Sequence, residues 1–339
     1  MRSFSKLTAL VATMFAMAVA AFAQPMMGAP VDAQIGLQPA VSEMGVRISE
    51  MFNGPLMITM SIIAVFVTVL LVWVLVRYNA GANKEAAKFS HNTLIEVIWI
   101  AIPTVIVLVL LVMAWFLIFF IDKQPTRPGV VIEVVGKPYK WTYNYLSYMP
   151  ADEYEAAQAM LAENEAKPVE EQADVSTFGE YINFEGFTFD SCSAIGCGND
   201  AIANDLGDGL QLAAVDHRLV IPSGTDVQFL VTGETMGHAF AMPAMGIKID
   251  AWPGRTNETW TNVFAGKEGL YIGQCSELCG WGHAYMPIVI EVVTPEQFDA
   301  WIATASETVI SSGGVSPPPR VEDVLGANYW TTQTAMVAQ

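Results

Sequence analysis

Cys275 and Cys279 are separated by three residues, His283 follows four positions later and Met286 three beyond that, all within the run from Gly273 to Pro287. Thiolate, imidazole and thioether together are the ligand set of copper electron-transfer sites. A mononuclear site of that kind takes one Cys. Two thiolates can instead bridge two coppers, each then wanting one imidazole and one weak axial ligand. That requires a second His, and of His91, His217 and His238 the last, in Met236-Gly237-His238-Ala239-Phe240, is the one placed for it. A tight loop between Gly273 and Gly280 lets both sulfurs face one centre, with the Glu277 carbonyl between them in reach. Two other chemistries stay open for these residues taken alone. One is a Cys275–Cys279 disulfide. The other is zinc, which prefers four strong N or S ligands and gives Met286 no role.

The elements that must carry this loop are read from composition. The 339 residues are 53% hydrophobic, which points to membrane segments. Arg2 and Lys6 precede a short apolar stretch ending in Ala21-Phe22-Ala23, the pattern of a cleaved signal peptide over residues 1–23. Export makes the main domain periplasmic and disulfide-permissive. Leu56 to Val76 and Val97 to Ile121 carry no charge and are each long enough to cross a bilayer. The loop between them holds Arg77, Lys84 and Lys88 against Glu85, so it is expected in the cytoplasm, with both mature termini periplasmic and the chain in a bacterial inner membrane. The net charge of −18 argues against nucleic acid and steers cationic partners inward.

After a short linker the pattern turns to strands. Val130–Val135, Tyr139–Tyr145, Arg218–Ile221, Val227–Val231, Gly246–Asp250, Asn257–Phe264 and Pro287–Val293 are rich in β-branched and aromatic residues, with Pro/Gly turns between them. Such spacing predicts a β-sandwich or Greek-key barrel. Thr294-Pro295-Glu296-Gln297 opens a helix with a capping box. An insert at about 149–208 interrupts the rhythm; its first part, from Asp152 to Glu171, is acidic and Ala-rich. The expected divisions are a segment at 24–54, a two-helix hairpin at 55–122, a β-domain at 128–300 and an extension at 301–339.

The run Gly-Gln-Cys-Ser-Glu-Leu-Cys-Gly ending at Gly280, with His283-Ala284-Tyr285-Met286-Pro287, closely resembles the dinuclear copper (CuA) loop of cytochrome c oxidase subunit II. Asp250-Ala251-Trp252-Pro253-Gly254-Arg255 resembles that family's D-A-x-P-G-R segment, and Ser90 to Trp99 the start of its second helix. The resemblance covers nearly the whole chain. It implies a transmembrane hairpin plus an all-β cupredoxin-like Greek-key barrel. It also implies a role as the subunit that takes electrons from cytochrome c and passes them to haem in subunit I, where O2 is reduced with proton pumping. Cys275 and Cys279 would bridge two copper ions, His238 and His283 would be terminal ligands, and Met286 and the Glu277 carbonyl would be axial. The Glu277 side chain would reach a magnesium ion shared with subunit I. Subunits I and III, a soluble or membrane-tethered cytochrome c, membrane lipid and a larger respiratory assembly are the implied partners. A quinol-oxidase subunit lacks these copper ligands, and a nitrous-oxide reductase lacks the hairpin.

Glu96 matches the family carboxylate at the mouth of a proton path, although Thr93-x-x-Glu96 is also a capping box by itself. The family's electron-accepting aromatic run has the form W-x-W-x-Y-x-Y, whereas this chain reads Tyr139-Lys140-Trp141-Thr142-Tyr143-Asn144-Tyr145. The first Trp is therefore Tyr139, and Trp141 matches the second; one of these two is expected to receive the electron. Asp216 matches a docking acid, and Asn144 stands where another is expected. With two cysteines assigned to copper, Cys192 and Cys197 are expected to pair as a disulfide. The acidic insert is expected to help hold a basic cytochrome c or another subunit.

Overall fold

The computed structural model describes residues 26–28, 36–85, 91–181, 186–193, 212–314, 316–326 and 329. The expected signal peptide, Lys88 and Cys197 lie outside the described residues. The described chain divides into two units, Val46–Lys123 and the rest.

In the first unit the apolar runs are helices, longer at their ends than hydropathy alone indicates. Helix α1 (Glu43–Met51) continues through one wide π-turn (Phe52–Leu56) into α2 (Met57–Arg77). The wide turn contains Pro55, whose missing N–H breaks the regular bonding ladder. Helix α3 spans Thr93–Asp122, and neither α2 nor α3 has a buried residue. Apolar side chains on every face of a helix need a hydrocarbon solvent, so these are membrane spans. The N-cap of α3 is Asn92 rather than Thr93: its side chain accepts from the Leu94 and Ile95 N–H groups. Glu96 still closes the turn, its Oε1 accepting the Asn92 N–H at 3.3 Å.

The second unit is mostly β. Strand β1 is Met26–Gly28. The pair β2 (Val130–Lys137) and β3 (Lys140–Tyr148) forms a hairpin. Then come β4 (Phe187–Ser191), β5 (Leu219–Pro222), β6 (Val227–Gly233), β7 (His238–Met242), β8 (Ile247–Ala251), β9 (Asn257–Thr261), β10 (Gly269–Gln274) and β11 (Pro287–Val293). One sheet has the order β4-β3-β2-β6-β9, a second β1-β10-β11-β5, and β7 pairs with β8 alone. The parallel β2–β6 and β11–β5 pairs amid antiparallel neighbours require crossing connections, as in a cupredoxin-like sandwich.

Alternation along β2, every second residue buried, aims Val130, Ile132 and Val134 into the core. Strand β3 contributes Trp141, Tyr143 and Tyr145, all fully buried. Tyr143 and Tyr145 face Phe189 and Phe187 across the β3–β4 ladder, the latter pair stacked at 4.9 Å. Such pairs add about 0.5–1.5 kcal/mol beyond their buried area. The Tyr145 hydroxyl donates to the Val220 carbonyl at 2.6 Å and accepts the Val220 N–H at 3.1 Å. That reciprocal pair joins the two large sheets through the core.

Helix α4 (Ala151–Glu165) is the first part of the insert. It buries Tyr154, Ala157 and Leu161, and the Tyr154 hydroxyl accepts the Asp226 N–H at 3.0 Å. Its acidic residues, with Glu170 and Glu171 beyond it, are exposed. Helix α5 (Pro295–Ser311) starts with the expected box, Thr294 and Gln297 bonding each other's backbone N–H. Helix α6 (Val321–Leu325) follows, held by the Trp301 indole donating to the Pro319 carbonyl at 2.9 Å.

Candidate metal centre

His238 is the first residue of β7, and Cys275 follows directly on the last residue of β10. Gly273 lets these two strands approach: a Cβ there would lie 2.1 Å from the Ala241 carbonyl oxygen. The Ser276 N–H then donates to the Ala239 carbonyl at 3.0 Å, locking the loop onto β7. The return from Cys279 is a short 3-10 turn (His283–Tyr285) leading into β11. Gln274 Nε2 reaches the Ala284 carbonyl at 3.3 Å, and Ser193 Oγ donates to the Tyr285 carbonyl at 2.6 Å. Trp141, inside the core, donates its indole N–H to the Met286 carbonyl at 3.1 Å. The loop is therefore held from β3, β7, β10 and the segment that follows β4 at once.

The result is a convergence of soft donors. The two sulfurs lie 3.9 Å apart and are free thiols, which removes the disulfide alternative. Cys275 Sγ is 3.9 Å from His238 Nδ1 and 3.3 Å from the Glu277 carbonyl oxygen. Cys279 Sγ is 3.5 Å from His283 Nδ1 and 3.6 Å from Met286 Sδ. Cys275 and Cys279 are 4% and 7% exposed, and His238 and Met286 are fully buried. Burial, then the neighbouring Cys275, pushes the Cys279 thiol up to about 12. Burial, then His283, holds His238 below the usual imidazole value, so it stays neutral and free to bind a metal.

Copper fits this donor set. Two buried thiolates are costly unless a cation compensates them. Met286 Sδ, which zinc would leave without a role, is turned toward Cys279. His238, Cys275 and Cys279 place one ligand atom each within 4.8 Å of one another.

The remaining expected residues fall elsewhere. Tyr139 is half-buried at the β2–β3 turn, and Trp141 is fully buried with its ring edge-on to His238 at 5.9 Å. Glu96 lies in the helical unit. Asp216 accepts the Cys192 N–H at 2.8 Å. Cys192 is disulfide-bonded; its expected partner Cys197 lies outside the described residues. Two features escaped the sequence reading. Trp281 is 80% exposed and packs against Tyr139, ring centroids 4.6 Å apart and planes tilted by 58°. Arg218 and Glu291 form a buried ion pair at 3.1 Å.

Fold and donor set together define a cupredoxin-like copper protein with two membrane spans. Residues 30–117 match the transmembrane domain of cytochrome c oxidase subunit II, and residues 175–293 its periplasmic domain. The chain is 36% identical over 278 residues to a probable cytochrome c oxidase subunit 2 of Rickettsia bellii, covering 82% of this chain and 86% of that one. It is 32% identical over 276 residues to cytochrome c oxidase subunit 2 of Mycosarcoma maydis, covering 81% and 92%. Among solved structures it is similar to the periplasmic domain of oxidase subunit II of Bradyrhizobium japonicum, at 33% identity and a TM-score of 0.38, over 55% of this chain and 99% of that one. The chain belongs to the cytochrome c oxidase subunit II family, the electron-accepting subunit of that oxidoreductase complex.

Proposed function

We propose that the site holds two copper ions and passes electrons from cytochrome c toward a haem in subunit I, where O2 is reduced with proton pumping. The observation that carries this is the pair of free thiols 3.9 Å apart, each with its own imidazole. In this reading Cys275, Cys279, His238, His283, Met286 and the Glu277 carbonyl would hold the copper. Copper bound there supplies one-electron chemistry. The protein supplies a frame that changes little: the loop's backbone is bonded to strands on several sides, and Trp141 fixes Met286 from behind. A rigid, largely buried ligand set keeps reorganisation small when charge arrives.

The Glu277 side chain is the proposed ligand of a magnesium ion shared with subunit I. Glu96, at the first turn of α3, is the proposed entrance of a proton path, and Tyr139 and Trp141 are the proposed aromatic path to the copper ligands. The domain faces the periplasm of an inner membrane with both mature termini on that side, beside subunits I and III. The exposed acidic face of α4 fits a basic cytochrome or another subunit of a larger assembly. A quinol-oxidase role is disfavoured by the complete ligand set. Near-infrared absorption and EPR of the purified protein test the proposal. One electron shared by two equivalent copper nuclei gives a seven-line hyperfine pattern; a four-line mononuclear pattern, or no copper, overturns it.

A further inference from the structure

The buried ligand set poses a problem of access. Cys275, Cys279, His238 and Met286 are closed off from solvent and His283 is half-buried, so an external donor reaches the set through His283 or through side chains that touch both the surface and the loop. Trp141 does not meet that requirement, because it is fully buried. Tyr139 meets it only in part. Its ring fills the space over two loop glycines: a Cβ at Gly282 would lie 2.1 Å from the ring, and one at Gly280 would lie 2.7 Å from the hydroxyl. Trp281 then covers Tyr139 from outside. Trp281 sits two residues after Cys279 and two before His283, with four-fifths of its surface in water.

A large exposed indole is costly in solvent and is enriched where surfaces become contacts. Leu278 is equally exposed but adjoins Glu277, the residue proposed to face the haem-bearing subunit. The loop thus presents two apolar points, and only Trp281 is backed by an aromatic ring in the structure. Beside Tyr139, Lys137 and Lys140 are offset by Asp190 and Glu234, so no net positive charge opposes a cationic donor here. The chain is strongly acidic, and Asp216 is tied to the loop through Cys192, Ser193 and the Tyr285 carbonyl.

We propose that Trp281, packed against Tyr139, is the surface contact through which a basic c-type cytochrome delivers its electron to this chain. The inference rests on the copper function proposed above and names where the donor touches it. One electron leaves the reduced haem iron of the cytochrome, which is oxidised, and the copper site is reduced. Trp281 stays neutral, and no proton or ligand moves.

The test uses the assembled oxidase carrying Trp281→Ala or Trp281→Phe. Stopped-flow measurement separates electron arrival from cytochrome c from onward transfer to haem. Calorimetric titration with oxidised cytochrome c reads binding without turnover. Truncating a contact tryptophan to Ala is expected to weaken binding or slow arrival roughly 30-fold, with Phe retaining most of the function. The near-infrared band and onward transfer should be unchanged. Unchanged arrival and binding in Trp281→Ala overturn the proposal. So does a loss confined to onward transfer or to assembly, which would place Trp281 against the haem-bearing subunit. A wild-type protein without the copper band would instead overturn the copper function itself.

Discussion

Two polar clusters among the described residues of the β-domain are buried and finished in opposite ways. Glu291, on β11, has both carboxylate oxygens satisfied from within the chain: Arg218 donates to one at 3.1 Å and the Tyr329 hydroxyl to the other. A few residues earlier along the same strand's approach, Cys275, Cys279, His238, His283 and Met286 face one another with soft donors on every side and no cationic side chain among them. The first cluster is closed electrostatically and is part of the fold. The second is complete only with a cation from outside. A buried charge must be paired or removed, and the protein has used a residue in one place and left the pairing to a metal in the other.

Substitutions can break that contrast. Arg218→Met leaves the Glu291 carboxylate buried without its partner and should cost about 3–5 kcal/mol in unfolding of the solubilised chain. Replacing both Arg218 and Glu291 by apolar residues of similar size should recover most of that loss. If the single variant is as stable as wild type, Glu291 is not held as a charge. The pH dependence sharpens the point. Burial holds the Glu291 carboxyl above its ordinary value near 4.5, with Arg218 pulling it back down. A carboxyl raised in the folded state keeps its proton longer folded than unfolded. Its contribution therefore falls as pH rises from about 4.5 to the folded value, then levels off. In Arg218→Met that falling window should extend to higher pH.

The copper cluster should behave differently. Copper at about 100 times its Kd should stabilise the folded wild type by about 2.7 kcal/mol, and Cys279→Ser should lose that gain together with the near-infrared band. Without metal, Cys279→Ser should unfold close to wild type, because no charge pair is broken; a large loss there would show that the thiols serve the fold. A smaller loss than in Arg218→Met is expected of Tyr329→Phe, which removes a hydrogen bond to a charged group and should cost about 1.5 kcal/mol, read as a lowered Tm.

How much of this was legible beforehand follows from the physics of each element. The membrane helices were readable because uncharged runs admit one environment, although their ends were not: Asn92 displaced Thr93 as the cap, and the first span began upstream of Pro55. Strands with β-branched runs, such as β2, β6 and β11, stood out. The strands that deliver the ligands did not. Strand β7 (His-Ala-Phe-Ala-Met) has one strand-favouring residue, Phe240, and β10 (Gly-Leu-Tyr-Ile-Gly-Gln) only a Tyr-Ile pair between glycines, so neither shows a β-branched run. They are strands because their neighbours pair with them, and Gly273 is there to let the two approach.

The spacing of Cys275, Cys279, His283 and Met286 specified a soft metal loop by itself, since ligand chemistry is local and the four residues are too close in the chain to be far apart in space. That Trp141 lies in the core while Trp281 lies outside against Tyr139, and that Arg218 meets Glu291, were decided only by the tertiary structure. Each depends on which strands become neighbours and which face of the loop meets water, and residues many positions apart in sequence encode that only through the packing of the whole domain.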